Sequence, residues 1–369
     1  MIITLPKNIQ WVLDQLKANN FQGFIVGGCL RDLLLNKEPQ DWDITTNALP
    51  KDIQRIFLNS FYNNDFGTVG VMVEGETIEV TTYRSEAKYT DKRHPDKIKF
   101  GVSLEEDLMR RDFTVNALAF NGSEIIDNYF GQEDLNTKII RCVGKPEERF
   151  NEDALRMLRA IRFSAQLDFQ VEDKTWQAIK KLKNNIKFVS QERIRDEIVK
   201  IIKSGNPFRG FWLLKEAGLQ KIILPELEAT VGVAQNRHHI YTVYTHGLFS
   251  MQFCPSDDYL VRLSALLHDI AKPQTKGGHG LNATFYNHEH LGVKITRQIM
   301  KRLKFSNEEI KKVCHLVKNH MFYYNIGEIT DAGVRRLIRR VGNENINDLM
   351  ALRIADRMGS GCQKKNLLN

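Results

Sequence analysis

Apolar and polar positions alternate on a short period through the first third of the chain and then switch to a helical period. Gly23-Phe-Ile-Val26 is an apolar run ending in Gly27-Gly28, the pattern of a buried strand entering a glycine turn. The segment Cys29 to Asn36 (CLRDLLLN) predicts a helix, and Trp42 to Thr45 a second strand. Val69–Val73 and Thr77–Tyr83, apolar or β-branched and separated by Glu74-Gly-Glu76, predict a hairpin. Residues 84–100 (RSEAKYTDKRHPDKIKF) have no period and read as a long polar loop, a feature that in compact domains is usually functional or disordered. From about residue 151 the pattern is helical: Leu155, Leu158, Ile161 and Phe163 make an apolar face, and helical segments follow over 172–203, 206–217 and 259–271. The chain therefore reads as α+β, a head with a mixed sheet and helices followed by an all-helical body.

Composition narrows the class. The chain has 369 residues, 42% apolar and 27% charged, as in an ordinary globular protein. No stretch approaches eighteen uninterrupted apolar residues, and the N-terminus lacks the pattern of a secretory signal. Five scattered cysteines (29, 142, 254, 314, 362) without CxxC spacing argue for a reducing cytoplasm, against a disulfide framework and against a thiolate zinc site. The net charge is +8, and residues 301–369 carry 14 Lys/Arg against 7 Asp/Glu. A basic end of this kind suits a polyanionic partner, or equally a solvated helical surface.

The chemistry concentrates in the head. Gly27-Gly28 sits where backbone N–H groups can approach a phosphate, with Arg31 one turn into the following helix. Asp41 and Asp43, two apart on a strand, project from one face, and like charges that close repel unless a cation lies between them. Oxygen-only ligands suit Mg²⁺, and Glu79 is a candidate third ligand if its strand lies beside the first. Arg110-Arg111 is either a surface salt-bridge cluster or a neutraliser of a triphosphate. The strand-like FTVNALAF that follows anchors it to the core.

Four ordered segments, GFIVGGCLRDLLL, QDWDITTNALP, RRDFTVNALAF and EDALRMLRAIRF, resemble the successive motifs of class II tRNA nucleotidyltransferases, the CCA-adding enzymes. The resemblance implies a polymerase-β-like nucleotidyltransferase head at 1–140, a helical neck and RNA-binding region at 141–235, and an HD-type helical domain at 236–369. It implies that Asp41 and Asp43 hold catalytic Mg²⁺, that Gly27, Gly28, Arg31 and Asp32 belong to the nucleotide-binding first motif, and that Arg110, Arg111, Asp112 and Asn116 contact ribose and triphosphate. Asn151 reads as the cap of a helix opening at Glu152, on which Asp153 and Arg156 share a face. Such a pair is either an ordinary ion pair or a protein-made Watson–Crick edge. A carboxylate accepts from the exocyclic amino group of cytosine or adenine while a guanidinium donates to the ring nitrogen. Guanine and uracil present the reverse pattern. The resemblance assigns the second role, with Arg159 assisting.

In the body, His246, His268-Asp269 and Asp356, with His288, His290 and His320 between or near them, follow an order that resembles the HD phosphohydrolase domain. His and Asp together suit a transition metal. His238-His239 reads as the lead-in to this domain. The resemblance thus implies addition of C, C and A to tRNA from CTP and ATP in the cytoplasm, with no membrane partner. The full-length 84–100 loop is the family feature tied to the terminal A. Asp65-Phe-Gly-Thr-Val-Gly70 stands where poly(A) polymerases of the family carry a basic GRRF-like stretch. The rival readings are an A-adding specialist, an HD phosphohydrolase with a nucleotide-binding head, and a non-catalytic RNA-binding protein. Family members continue past Ala355-Asp356-Arg357 into a further helical tail.

Overall fold

The computed structural model describes residues 3–62, 67–87, 97–235, 240–278, 280–322 and 330–361. The chain divides into two compact units, Met1–Ala160 with Phe169–Phe188, and Ile161–Asp168 with Val189–Asn369.

The first unit is built on a seven-stranded mixed sheet. Its strands are β1 (Gly23–Val26), β2 (Asp43–Thr46), β3 (Ser60–Tyr62), β4 (Thr68–Val73), β5 (Glu76–Thr82), β8 (Ala119–Phe120) and β9 (Ile125–Ile126), in the order β3-β4-β5-β2-β1-β8-β9. Two small ladders accompany it, β6 (Arg84–Ala87) with β7 (Lys97–Phe100) and β10 (Ile139–Ile140) with β11 (Gln170–Val171). The β4–β5 hairpin closes with Val73 opposite Glu76 over Glu74-Gly75, both at positive φ (51° and 87°), as a two-residue turn requires. The pairing that matters most is parallel: β2 lies beside β5 with Asp43 opposite Glu79. Around the sheet stand α1 (Lys7–Ala18), α2 (Gly28–Leu34), α3 (Pro50–Ile56), α4 (Leu104–Met109), α5 (Gly131–Thr137), α6 (Pro146–Glu152) and α8 (Asp173–Leu182). Helix α1 presents Ile9, Val12, Leu13 and Leu16, one face at helical spacing, to the core.

Three local expectations change. Strand β2 begins at Asp43, so Asp41 precedes it, although the Trp42 carbonyl still accepts from the Glu79 N–H at 3.2 Å. The segment after Arg111 is a single 3₁₀ turn, Thr114–Asn116, before the two-residue β8; Phe113, Val115 and Ala117–Ala119 are all fully buried, so their apolar run carried no period to tell turn from strand. The helix expected from Glu152 with an Asn151 cap is two helices. Pro146 starts α6, which contains Asn151 and ends at Glu152. Asp153 is extended (φ −142°, ψ 107°), and its carboxylate accepts the Leu155 N–H at 3.0 Å as α7 (Leu155–Leu167) begins. The capping side chain lies two residues later than expected.

The second unit is helical: α9 (Gln191–Ile202), α10 (Pro207–Glu216), α11 (Gln220–Ile223), α12 (Pro225–Glu228), α13 (Val243–Gln252), α14 (Tyr259–Leu267), α15 (Lys272–Thr275), α16 (His288–Arg302), α17 (Asn307–Asn319), α18 (Asp331–Val341) and α19 (Ile346–Gly359). The helical stretch expected over 172–203 is α8, a 3₁₀ segment Lys183–Phe188 and α9. Val261, Ala265, Leu316, Leu349, Leu352 and Ala355 form its core. Among the described residues no helix is long and apolar enough to cross a membrane.

Glycines set the spacing of the helices that carry the histidines. A Cβ on Gly359 of α19 would lie 2.7 Å from the Ser250 backbone nitrogen and 3.0 Å from the His246 carbonyl oxygen of α13. One on Gly247 would lie 3.0 Å from the Leu266 carbonyl of α14. Backbone cannot give way as a side-chain tip can, so Gly359→Ala should destabilise this unit by about 1–3 kcal/mol. A denaturation series checks this, with the wild-type midpoint retained in the variant as the contrary result.

Candidate active site and metal centre

In the head the site starts at the turn between β1 and α2. Gly27 has φ 75°, and a Cβ there would sit 3.1 Å from Arg111 Nη1 and 3.5 Å from Asp43 Oδ2. The missing side chain makes room for a guanidinium and a carboxylate to stand together. Burial pushes the Asp43 carboxyl up, Asp41 pushes it further, and Arg111 opposes both. Glu79 is pushed up by burial, then by Asp43 and Asp41. These three acids therefore crowd negative charge at one place, with Arg111 opposing it at Asp43. Their oxygens stay more widely spaced than the 4.8 Å convergence found in the metal-ligand groups of the body. The donor set is all oxygen and the charge is unbalanced, which fits a hard divalent cation.

Arg31, Asn116, Asp112 and Arg159 form one chain of contacts. Arg31 Nη1 donates to Asn116 Oδ1 at 2.9 Å, Asn116 Nδ2 to Asp112 Oδ1 at 3.3 Å, and Arg159 Nε to Asp112 Oδ2 at 2.6 Å. Arg31 also holds Asp32 at 2.7 Å. Burial would raise the Asp112 carboxyl, but Arg159, Arg156 and Asn116 hold it below its ordinary value. Residues read separately along 130 positions of sequence are thus joined around the buried Asp112. Arg156 donates to Glu152 at 2.5 Å and to the carbonyls of Arg110 (3.2 Å) and Arg149 (3.3 Å). The expected shared helix face with Asp153 is absent, because Asp153 stands outside α7.

One residue escaped the sequence reading. Asp107, with no exposed surface, accepts from Arg110 Nη2 at 2.8 Å, Arg111 Nη2 at 3.4 Å and the Arg84 N–H at 3.3 Å. It holds Arg111 beside Asp43. Burial would raise its carboxyl, yet Arg110, Arg111 and the Arg84 amide keep it below its ordinary value. The signal was present as Asp-x-x-Arg-Arg, the i,i+3 and i,i+4 spacing, on a helix with a Ser103–Glu106 capping box. The sequence reading weighed Arg110 and Arg111 in this run and did not single out Asp107.

In the body, His246 (α13), His268 and Asp269 (after α14), His288 (start of α16), His320 (end of α17) and Asp356 (α19) converge. Asp269 Oδ2 lies 3.4 Å from His246 Nε2 and 3.2 Å from His268 Nε2, while Oδ1 lies 3.3 Å from His288 Nε2 and 3.8 Å from His320 Nε2. Asp356 Oδ1 is 3.2 Å from His246 Nε2. Two ligand groups therefore share Asp269, and His288 and His320 join the four residues expected. His290 does not; it is exposed and faces Glu289 at 3.6 Å.

The tautomers are set from outside. The Nδ1 atoms of His268, His288 and His320 lie 2.7–2.8 Å from the carbonyls of Ala265, Phe285 and Val317, so each donates there and turns an Nε2 lone pair inward. His246 and His268 face each other Nε2 to Nε2 at 3.1 Å, as do His288 and His320. Two ring nitrogens at that distance need a proton or a cation between them, and this donor set suits a transition metal. Lys272 Nζ sits 2.6 Å from Asp269 Oδ2 and Arg353 2.8 Å from Asp356 Oδ2, beneath an open cleft of about 510 Å³ also lined by Phe285, Tyr286 and Met321.

His238-His239, Asp65-Phe66 and residues 88–96 of the polar loop lie outside the described residues.

Three family models match the chain. Residues 23–141 match the poly A polymerase head domain family, 168–230 the probable RNA and SrmB-binding site of polymerase A, and 232–359 the HD domain. The CCA-adding enzyme of Enterococcus faecalis is 36% identical over 355 residues, covering 91% of this chain and 79% of that one. That of Lactobacillus helveticus is 50% identical over 192 residues, 52% of this chain and 48% of that one, so the chain spans about half the length of several curated relatives it matches. The crystal structure of the Bacillus stearothermophilus CCA-adding enzyme in complex with CTP superposes with a TM-score of 0.75 at 28% identity, covering 99% of this chain and 81% of that one.

The Asp107 clamp yields a stability prediction. Its depressed carboxyl contributes stability that is present above the ordinary carboxylate value, near 4, and is lost as pH falls through the lower folded-state value. Asp107→Asn leaves Arg110 and Arg111 without that anion and should cost roughly 3–5 kcal/mol. Melts from pH 6 to pH 3 should fall less steeply in the variant than in the wild type; parallel slopes would remove Asp107 from this role.

Proposed function

We propose, because this chain belongs to the CCA-adding enzymes, that it adds C, C and A to the 3′ end of tRNA from CTP and ATP, releasing pyrophosphate, in the cytoplasm. The observation that carries the reading is the register of Asp43 beside Glu79 at the Gly27 turn, with Arg111 against it and the Arg31–Asn116–Asp112–Arg159 network on record.

In this reading the tRNA 3′-oxygen forms a bond to the α-phosphorus as the bond to the pyrophosphate oxygen breaks. Asp41, Asp43 and Glu79 would hold a divalent cation, which we take as Mg²⁺ and which would supply positive charge to the reacting phosphate and leaving group. Gly27 and Gly28 let the triphosphate approach the backbone. Arg31 and Asp32 lie in that first motif, and Arg110 and Arg111 balance the phosphates. Asn116 and Asp112 orient the ribose. Asp153 and Arg156 present the Watson–Crick-like edge that admits cytosine and adenine, with Arg159 fixing it through Asp112. We divide the work as nucleotidyl transfer in 1–140, RNA contact in 141–235 and the HD cluster in 236–369.

The test is incubation with tRNA lacking CCA and tRNA ending in CC, each with labelled CTP, ATP, UTP or GTP. C and A should be incorporated in order and UTP and GTP rejected. Asp43→Ala should lose at least about a hundredfold in rate, since several kcal/mol of charge stabilisation go, while still binding tRNA. Addition of A alone would make the protein an A-adding specialist, runs of A a poly(A) polymerase.

A second reading is favoured by the facing histidine pairs. We propose that His246, His268, Asp269 and Asp356, joined by His288 and His320, hold a transition-metal centre able to act on phosphoesters. Elemental analysis of protein purified without chelator should find bound transition metal, and His268→Ala should lose it along with any phosphatase or phosphodiesterase activity. Metal-free wild type would leave the cluster a structural one.

A further inference from the structure

The 3₁₀ turn Thr114–Asn116 follows directly on Asp112 and ends in Asn116, and it is held from beneath. Thr114 Oγ1 donates to Asp134 Oδ2 of α5 at 2.6 Å, and the Thr114 N–H donates to the Arg141 carbonyl at 2.9 Å. Arg141, just past β10, turns its guanidinium back onto Asp134 at 3.0 Å and onto Glu172 at 2.9 Å. Glu172 in turn caps α8, accepting from the Thr175 N–H at 3.3 Å. Helix α5 also presses on the turn itself: a Cβ on Gly131 would lie 2.4 Å from the Thr114 carbonyl oxygen. All of these groups belong to the first unit.

Stability does not require this arrangement. Phe113, Val115, Ala117 and Leu118 are fully buried on both sides of Thr114 and anchor the segment by apolar contact. Buried polar partners can often be replaced together by apolar groups of the same shape without loss. Thr114 and Asp134 are nonetheless each only 2% exposed. What their contact adds is direction. A three-residue 3₁₀ turn has few hydrogen bonds of its own, here Asn116 N–H to the Phe113 carbonyl and Ala117 N–H to the Thr114 carbonyl. Its orientation is therefore set by what grips it, and Thr114 is the point of grip. Asp112 and Asn116 flank that point and are joined to each other at 3.3 Å, so a shift at Thr114 moves both.

We propose that Asp134, acting through the Thr114 hydroxyl, is a positioning residue for the sugar of the incoming nucleotide, and that it enforces the choice of ribonucleoside over 2′-deoxyribonucleoside triphosphates. This rests on the reading in which Asp112 and Asn116 orient the ribose, and extends it to α5, which carries none of the residues that reading uses. A site built to hydrogen-bond a hydroxyl rejects the analogue lacking it by up to about 10⁴–10⁵-fold, because its own buried groups are then left unpaired. Discrimination of that kind needs placement to within about 0.5 Å, which supporting hydrogen bonds supply. A displaced turn loses the contact to the 2′-hydroxyl, and with it the difference between the two sugars.

The test uses Thr114→Val, which removes the hydroxyl while Asp134 keeps Arg141, and Thr114→Ser, which retains it. Asp134→Asn is made alongside in case Thr114→Val folds poorly, and Ile9→Val, a core truncation on α1, shows what lost stability alone does. For each, dissociation constants for CTP and dCTP are measured by calorimetry, and kcat/KM for both on tRNA lacking CCA. Wild type should prefer CTP on both measures. Thr114→Val and Asp134→Asn should narrow that preference at least about tenfold, a loss in keeping with a misplaced contact, while Thr114→Ser and Ile9→Val stay within about twofold of wild type. Folded Thr114→Val and Asp134→Asn with the wild-type ratio overturn the proposal, as do equal narrowing in Ile9→Val and a wild type indifferent to the sugar. Wild type that binds CTP over dCTP yet transfers no nucleotide, with the preference narrowed in Thr114→Val, overturns the enzymatic reading and leaves the positioning role standing.

Discussion

Carboxylates taken out of water must find positive charge, and both units of this chain are arranged around that requirement. In the head, burial of Asp107 and Asp112 pushes their carboxyls up. Arginines keep them ionised: Arg110 and Arg111 on the first, Arg159 and Arg156 on the second. Removing a guanidinium from such a pair leaves a buried charge with nothing opposite it. In the body the same requirement falls on Asp269 and Asp356, and histidines with Lys272 and Arg353 meet it.

The fold converts this requirement into position. Parallel pairing of β2 with β5 fixes Asp43 opposite Glu79, because a slip of one residue would turn every side chain of the strand to the other face. Asp107 then ties α4 to the start of β6 through the Arg84 amide, so Arg111 reaches the carboxylates from a short capped helix. The body solves its problem with helix ends. His268, His288 and His320 each stand at or beside a helix terminus and donate Nδ1–H to a carbonyl three residues back, which turns each Nε2 inward. Close helix approach at Gly247 and Gly359 brings those ends within reach of one carboxylate.

Much of this was legible in sequence, for identifiable reasons. The β1–glycine–α2 unit and the β4–β5 hairpin show because glycines mark positive φ and alternation marks a half-buried strand. The order of His and Asp in the body located the cluster. Its second half, His288 and His320, was named without a role, because nothing in spacing says which histidines share a carboxylate across 50 residues. The run 113–120 is buried on every side and so has no period to read. The α6–α7 break turned on whether Asp153 or Asn151 capped α7, two residues of the same chemistry. Asp107 was hidden because burial, which decides its role, is set by β-strands far along the chain.

The charge requirement also separates residues that hold the protein together from residues that await something. Where compensation is complete, acids sit below their ordinary values, as Asp107 and Asp112 do beside their arginines. Where burial and like charge outweigh it, acids sit above: Asp43 through burial and Asp41 against Arg111, and Glu79 through burial, Asp43 and Asp41. The histidine cluster divides in the same way, with His246 pushed up to about 9 by Asp269 and Asp356 against its burial, and His320 pushed down to about 3 by burial and its histidine neighbours. A site that exists only for stability has no reason to keep such imbalance, since one charge reversal would relieve it. That imbalance falls at the Gly27 turn, where carboxylates crowd together, and at the facing histidines, where two pairs of ring nitrogens approach at 3.1 Å.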